Sequence, residues 1–180
     1  MLERLLVAGS GGQGAVLIGK MLAVTAVDHI AHVTFFPSYG AEVRGGTSHC
    51  QVVFSSDEIA SPVSELFDSM LIMNQASADK FLSRRADPCL VVINKSLCQT
   101  HPETAAVEIE ALGIANELGD SRVANFVMLG AYQECKPLFP IEAVHAAIGK
   151  VLASKGSKLV ELNLRAFDAG IEACRKNRSK

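Results

Sequence analysis

The sequence predicts an α/β fold, layered around a mostly parallel sheet, with additional helices in its C-terminal part. Three observations predict it. Short apolar runs of strand length alternate with helical stretches, the pattern that builds parallel sheets. The first run, Arg4-Leu5-Leu6-Val7-Ala8-Gly9, leads into a glycine loop and then a helix, the form of a buried strand followed by its Rossmann-like crossover. After Pro102 the strand-like runs give way to periodic apolar segments punctuated by Gly or Pro. The 180 residues hold one domain with a real core and are too few for two unrelated catalytic domains. We therefore read residues 1–180 as a single domain, with a sheet core over about 1–110 and a helical part over about 111–180.

Taken in order, the helix after the glycines spans about Ala15 to His29, and a second strand, Ala31 to Phe36, is closed by Pro37. A third strand runs from Ser48 to Phe54. Two more, Asp68 to Met73 and Cys89 to Ile93, flank a helical stretch from Ala76 to Arg84. A last strand at Ala106 to Ile109 precedes helices at Ala111 to Leu118, Arg122 to Gln133, Ile141 to Ala153 and Leu162 to Arg175. The first helix is apolar nearly all round from Ala15 to Val24, with Lys20 its one charge. Such a helix must be covered on more than one side, by the C-terminal helices of this chain or by a partner.

Composition removes several function classes. A net charge of -2 gives no field to attract nucleic acid or an anionic membrane, so neither is expected as a partner. The apolar stretch near the N-terminus is interrupted by Gly9 to Gly14 and falls short of the roughly 20 residues a membrane span needs. Met1-Leu2-Glu3-Arg4 lacks the features of a signal peptide, and the chain reads as cytoplasmic. The five cysteines are widely spread without a C-x-x-C pair, which fits idle thiols in a reducing compartment better than a disulfide scaffold or a metal cluster. The histidines are scattered, and Asp120, Glu134 and the acids near Glu108 read as solvated.

Two segments could carry chemistry. Gly9-Ser10-Gly11-Gly12-Gln13-Gly14 fits G-x-G-x-x-G between a strand and a helix, where backbone amides and the helix dipole favour a phosphate or pyrophosphate. A dinucleotide site also needs an acid at the end of the second strand, and that strand ends in Phe35-Phe36-Pro37, which argues against NAD. The same glycines could serve only as a tight turn. The second segment, Pro37 to Ser48, contains Ser38, Tyr39 and Arg44-Gly45-Gly46 and leaves the carboxyl end of the second strand. In an open parallel sheet that end shares an edge with the glycine loop, and Arg44 offers a planar donor fork to a phosphate or a carboxylate. A plain surface loop is the competing reading.

These residues in this order resemble a known family. The glycine loop, then Pro37-Ser38-Tyr39-Gly40-Ala41-Glu42-Val43-Arg44-Gly45-Gly46, then Asp57 to Pro62, then Asp68 heading an apolar strand, is similar to the gamma subunit of 2-oxoacid:ferredoxin oxidoreductases. Asn125 to Gly130 and Asn163 to Phe167 resemble later segments of that family. The resemblance implies a non-catalytic subunit of a complex that oxidatively decarboxylates a 2-oxo acid to acyl-CoA and CO2. It implies thiamine diphosphate, Mg and iron–sulfur clusters on partners, namely thiamine-binding alpha and beta subunits and an iron–sulfur subunit or domain, with ferredoxin as electron acceptor. The chain itself would hold no cofactor tightly, and CoA would bind as co-substrate at the subunit interface. Gly9, Gly11, Gly12, Gln13, Gly14, Ser38, Tyr39, Arg44, Gly45, Gly46 and Asn125 would face it. A stand-alone nucleotide- or CoA-binding module and a purely structural assembly subunit are the alternatives.

Overall fold

The apolar run near the N-terminus forms β1 (Leu2–Ser10), whose central residues Leu5, Leu6, Val7 and Ala8 are fully buried. The computed structural model describes residues 1–39, 47–99 and 105–178. Since β1 is apolar on both faces it must lie inside the sheet, covered above and below. After it come α1 (Ala15–Ala26), β2 (His32–Tyr39), β3 (Thr47–Ser55), β4 (Phe67–Ile72), α2 (Gln75–Phe81), β5 (Arg85–Asn94), β6 (Ala106–Ile109), α3 (Ala111–Glu117), α4 (Ala124–Cys135), α5 (Ile141–Leu152) and α6 (Ser157–Arg178). Among the described residues the strands form one six-stranded sheet in the order β2-β3-β1-β4-β5-β6.

The pairings β1/β4, β4/β5 and β5/β6 are parallel, whereas β3 runs antiparallel to both β1 and β2. The sheet is thus mostly parallel, with β3 inserted between two strands of the opposite direction. This arrangement brings the ends of β1 and β2 and the start of β3 to one edge: Ser10 stands opposite Thr47, and Tyr39 opposite Ser48. One expectation needs correction. Pro37 does not close the second strand, because β2 continues through it to Tyr39. As the outer strand of the sheet, β2 tolerates a residue without an amide donor.

The two faces are covered unequally. One carries Leu5 and Val7 of β1, Val52 and Phe54 of β3 and Val92 of β5 against α1 and the helices from α3 to α6. The other carries Leu6, Ala8, Ile72 and Val91 against Ala78 and Phe81 of α2. The apolar helix α1 is covered from within the chain: it lies on β1, β2 and β3 and packs beside α4 and α5.

The tightest helix packing joins α4 and α6, and it depends on two glycines. A Cβ at Gly130 would stand 1.9 Å from the Phe167 carbonyl oxygen, and one at Gly170 would stand 2.0 Å from that of Val127. The two backbones touch at this crossing. At the other end of the sheet from the glycine loop, the carboxylate of buried Glu3 accepts a 2.5 Å hydrogen bond from Ser69 Oγ and pairs with Lys136 at the end of α4. Tyr132 is fully buried nearby, and burial, reinforced by the Glu3 charge, pushes its phenol up. On the opposite face Arg4 forks onto Asp68, with Nε and a terminal nitrogen each 2.8 Å from a carboxylate oxygen. The acids read from sequence as solvated are also paired: Asp120 with Arg122 at 2.6 Å, Glu134 with Arg175 at 3.0 Å and Glu108 with Lys95 at 3.0 Å. The last two pairs join elements that only the fold brings together.

Gly130→Ala should destabilise the protein by about 2–4 kcal/mol in chemical denaturation, because the added methyl meets backbone that cannot rotate away. Gly149→Ala in α5, where a Cβ meets nothing within 4 Å, should instead gain about 0.5–1 kcal/mol from helix propensity. The Arg4 hydrogen bonds hold Asp68 below its ordinary carboxylate range. The pair's contribution is therefore complete above about pH 4 and lost as the pH falls through the lower folded value. Asp68→Asn should cost about 1 kcal/mol at pH 7 and flatten the pH dependence of stability below pH 4.

Candidate functional site

The glycine loop leaves β1 at the point where the sheet order reverses. From β1 the chain passes through α1 to β2 and β3 on one side, then crosses to β4 on the other. A crevice at such a switch, outside the carboxyl ends of the strands, is where open α/β sheets take ligands. Gly12 has φ +90° and Gly14 φ +77°, conformations that other residues rarely adopt. A Cβ at Gly11 or Gly12 would meet nothing within 4 Å, so both open toward free space. Gly9 and Gly14 are closed in instead: a Cβ at Gly9 would touch Gln13 Oε1 and Met73, and one at Gly14 would lie 2.2 Å from Asn125 Nδ2.

Polar side chains fix the loop from inside. Gln13 Oε1 accepts from the Ser10 amide at 2.7 Å and from Asn74 Nδ2 at 2.9 Å, and Asn74 Nδ2 also donates to Ser10 Oγ at 2.5 Å. Asn74 caps α2 at the same time, its Oδ1 accepting from the Ser77 amide at 2.9 Å. The end of β1, the end of β4 and the start of α2 are thus tied in one knot. Helix geometry leaves the amides of Ala15, Val16 and Leu17 without intrahelical acceptors, and the Ile18 amide is the first to bond back, to Gly14 at 3.0 Å. The arrangement is an amide-rich turn with free space above it and no carboxylate inside it.

The predicted residues divide by place. Gly9, Gly11, Gly12, Gln13 and Gly14 form the loop, and Asn125, at the second position of α4 and buried, meets it at Gly14. Ser38 and the backbone of Tyr39 lie two strands across, in the rows of Ala8 and Gly9, about 10 Å away. Arg44, Gly45 and Gly46 lie outside the described residues. Along β2 there is no Asp or Glu to hold a ribose hydroxyl.

Two residues of the site escaped the sequence reading. Asn74 carried a usable signal, an asparagine just ahead of a helical stretch. Lys80 carried none, because only the placement of α2 on the sheet brings it here: its Nζ donates to Thr47 Oγ1 at 2.9 Å, beside the end of β1. It lies 5.3 Å from the centre of the Phe81 ring, which in turn packs against His49 with ring centres 4.7 Å apart and planes tilted by 51°. Burial first, then the positive charges of Lys80 and Arg84, lower the His49 pKa below its ordinary value. Nucleophilic chemistry is poorly served, since burial pushes the Cys50 and Cys98 thiols up to about 12 and Cys89 to about 11. Among the described residues no three His, Cys, Asp or Glu side chains are grouped to hold a metal ion, and no helix is long and apolar enough to cross a membrane.

Residues 4–173 match the model of the family described as pyruvate ferredoxin/flavodoxin oxidoreductase. The chain belongs to that family. Among its relatives in the pyruvate ferredoxin/flavodoxin oxidoreductase family, ketoisovalerate oxidoreductase subunit VorA of Methanothermobacter thermautotrophicus is 35% identical over 176 residues. That match takes in 97% of this chain but 37% of the relative, so the chain spans well under half the length of VorA. The gamma subunit of a keto/oxoacid ferredoxin oxidoreductase from Geobacter sulfurreducens superposes with a TM-score of 0.81 at 28% identity, covering 97% of this chain and 99% of that one. A 2-oxoglutarate:ferredoxin oxidoreductase from Magnetococcus marinus, solved with 2-oxoglutarate, coenzyme A and succinyl-CoA bound, shares the fold with a TM-score of 0.86 at 23% identity. This chain corresponds to 31% of that larger one, with 97% of its own length covered.

Asn74→Ala should test the knot that holds the loop. It removes a helix cap and a bridge between two strand ends, and should cost about 1–3 kcal/mol in thermal or chemical denaturation. Amide exchange at residues 10–14 should quicken in the same variant.

Proposed function

We propose that this chain is the gamma-type, non-catalytic component of a thiamine-diphosphate-dependent 2-oxoacid:ferredoxin oxidoreductase, and that it helps to hold coenzyme A at a subunit interface. The observation that carries the proposal is the open, amide-rich turn at Gly11 and Gly12, set at the switch point of the sheet with a lysine beside it. Coenzyme A presents phosphates, and an amide-lined turn at a helix start suits them. The bound coenzyme A in the Magnetococcus marinus relative supports the choice of ligand.

In this reading the loop backbone takes phosphate oxygens where Gly11 and Gly12 carry no side chain to keep them away. Lys80 supplies a positive charge beside the loop, and Arg44 is assigned a second phosphate contact through its planar guanidinium. Asn125 packs against the base of the loop at Gly14. Ser38 and Tyr39 line the outer strand of the same edge. Decarboxylation and electron transfer belong to partners: thiamine-binding alpha and beta subunits carrying thiamine diphosphate and Mg, an iron–sulfur subunit or domain, and ferredoxin as acceptor. The role of this chain is to bind and orient the acyl acceptor in the cytoplasmic complex.

Steady-state kinetics of the assembled complex test the proposal. Gly11→Val is the cleanest variant, because Gly11 has an ordinary φ and open space around it, whereas Gly12→Val would also strain the backbone. Gly11→Val, Lys80→Gln and Arg44→Ala should each raise the KM for coenzyme A, the charge removals by roughly 10- to 100-fold, and leave the KM for the 2-oxo acid nearly unchanged. Normal coenzyme A kinetics together with impaired assembly would establish a structural role in place of a binding one.

A further inference from the structure

The contact between α4 and α6 holds a pair of thiols that the proposed function does not use. Cys135 is the last residue of α4 and Cys174 lies in the last turns of α6, and their sulfurs are 3.1 Å apart. Neither is joined in a disulfide; Cys174 is fully buried and Cys135 half-buried. The approach is fixed from two sides. On one, the helix backbones touch at Gly130 and Gly170, five and four residues earlier. On the other, the neighbouring residues Glu134 and Arg175 form an ion pair at 3.0 Å that holds the same register. The two thiols are presented to each other by backbone contact and by charge.

We propose that Cys135 and Cys174 are a peroxide-reactive dithiol, which a hydroperoxide converts into a disulfide that staples α4 to α6. The half-buried Cys135 is the residue a small oxidant can reach. Its sulfur, having given up its proton, attacks one peroxide oxygen: an S–O bond forms, the O–O bond breaks, and the departing hydroxide takes up a proton to leave as water. The Cys174 sulfur then attacks the resulting sulfenic sulfur. The S–S bond forms, the S–O bond breaks, and the hydroxide leaves as water with the Cys174 proton. Two thiols lose two electrons and one hydrogen peroxide becomes two waters. The sulfurs must close by roughly 1 Å to reach the usual bond length of about 2.05 Å. Cys50, Cys89 and Cys98 do not compete well, because burial keeps them protonated.

The closed bond spans 39 residues of chain and pins the helix whose other end carries Asn125 against the glycine loop. The test uses the intact, folded chain with hydrogen peroxide as the probe. After brief treatment near one equivalent, remaining thiols are alkylated and peptides are mapped by mass without reduction. The expected product is a Cys135–Cys174 linked peptide, two hydrogens lighter than the sum of its parts and released by dithiothreitol. The oxidised protein should melt on the order of 5–10 °C higher than the reduced form. Cys135→Ser should abolish both the link and the shift. Because Cys174→Ser changes a buried site, wild-type protein with and without dithiothreitol serves as the control that does not depend on folding of a variant. Oxidation of another cysteine first, or a link that forms only after denaturation, would overturn the proposal.

Discussion

The structure depends on β1 being an interior strand with both faces buried. Leu5 and Val7 face the larger helical layer while Leu6 and Ala8 face α2, so the strand cannot slip by one residue without exchanging its two sets of contacts. Its ends are fixed by polar contacts of different kinds. Glu3 and Arg4 anchor one end to Ser69, Lys136 and Asp68, and Ser10 anchors the other through Asn74 and Gln13. Both sets of anchors reach β4 or the residues just after it. The crevice above the carboxyl ends of β1 and β4 therefore keeps its width, and the glycine loop inherits that rigidity.

The division of labour inside the site follows from which glycines are open and which are closed. Gly9 and Gly14 lie against side chains and shape the turn, while Gly11 and Gly12 leave space above it. The polar atoms beneath the turn are used up by one another. Among the described residues, backbone amides and the nearby lysine are left to meet a ligand, which suits anion binding. The neighbouring thiols, raised by burial, are similarly quiet. A module with these properties can position a reactant whose chemistry happens on another chain.

Much of this was legible in the sequence because its signals are local. Short apolar runs and period-3.6 segments located the strands and helices to within about five residues, and the glycine spacing located the turn. The direction of β3 was also written there, though not read: residues 40–46 between β2 and β3 are too few for a parallel crossover, which needs about a dozen or more. The end of β2 was misjudged because a proline stops an interior strand but not an outer one, and position within the sheet is not a local property. Lys80 was missed for a related reason. Its partner Thr47 is 33 residues away in the chain and becomes a neighbour only when α2 settles on the sheet. The pairing of Glu134 with Arg175, 41 residues apart, is of the same kind.

The crossing of α4 and α6 has a consequence for how such a chain can change over time. At most tight contacts an enlarged residue on one side can be relieved by a smaller one opposite, so the two positions drift together. Here the atoms facing Gly130 and Gly170 are the carbonyls of Phe167 and Val127, which every amino acid carries. No exchange of side chains across the interface can make room. The two positions should therefore stand still in any lineage that keeps this geometry, each held by the main chain of the opposite helix, where no exchange of side chains offers a compensating partner.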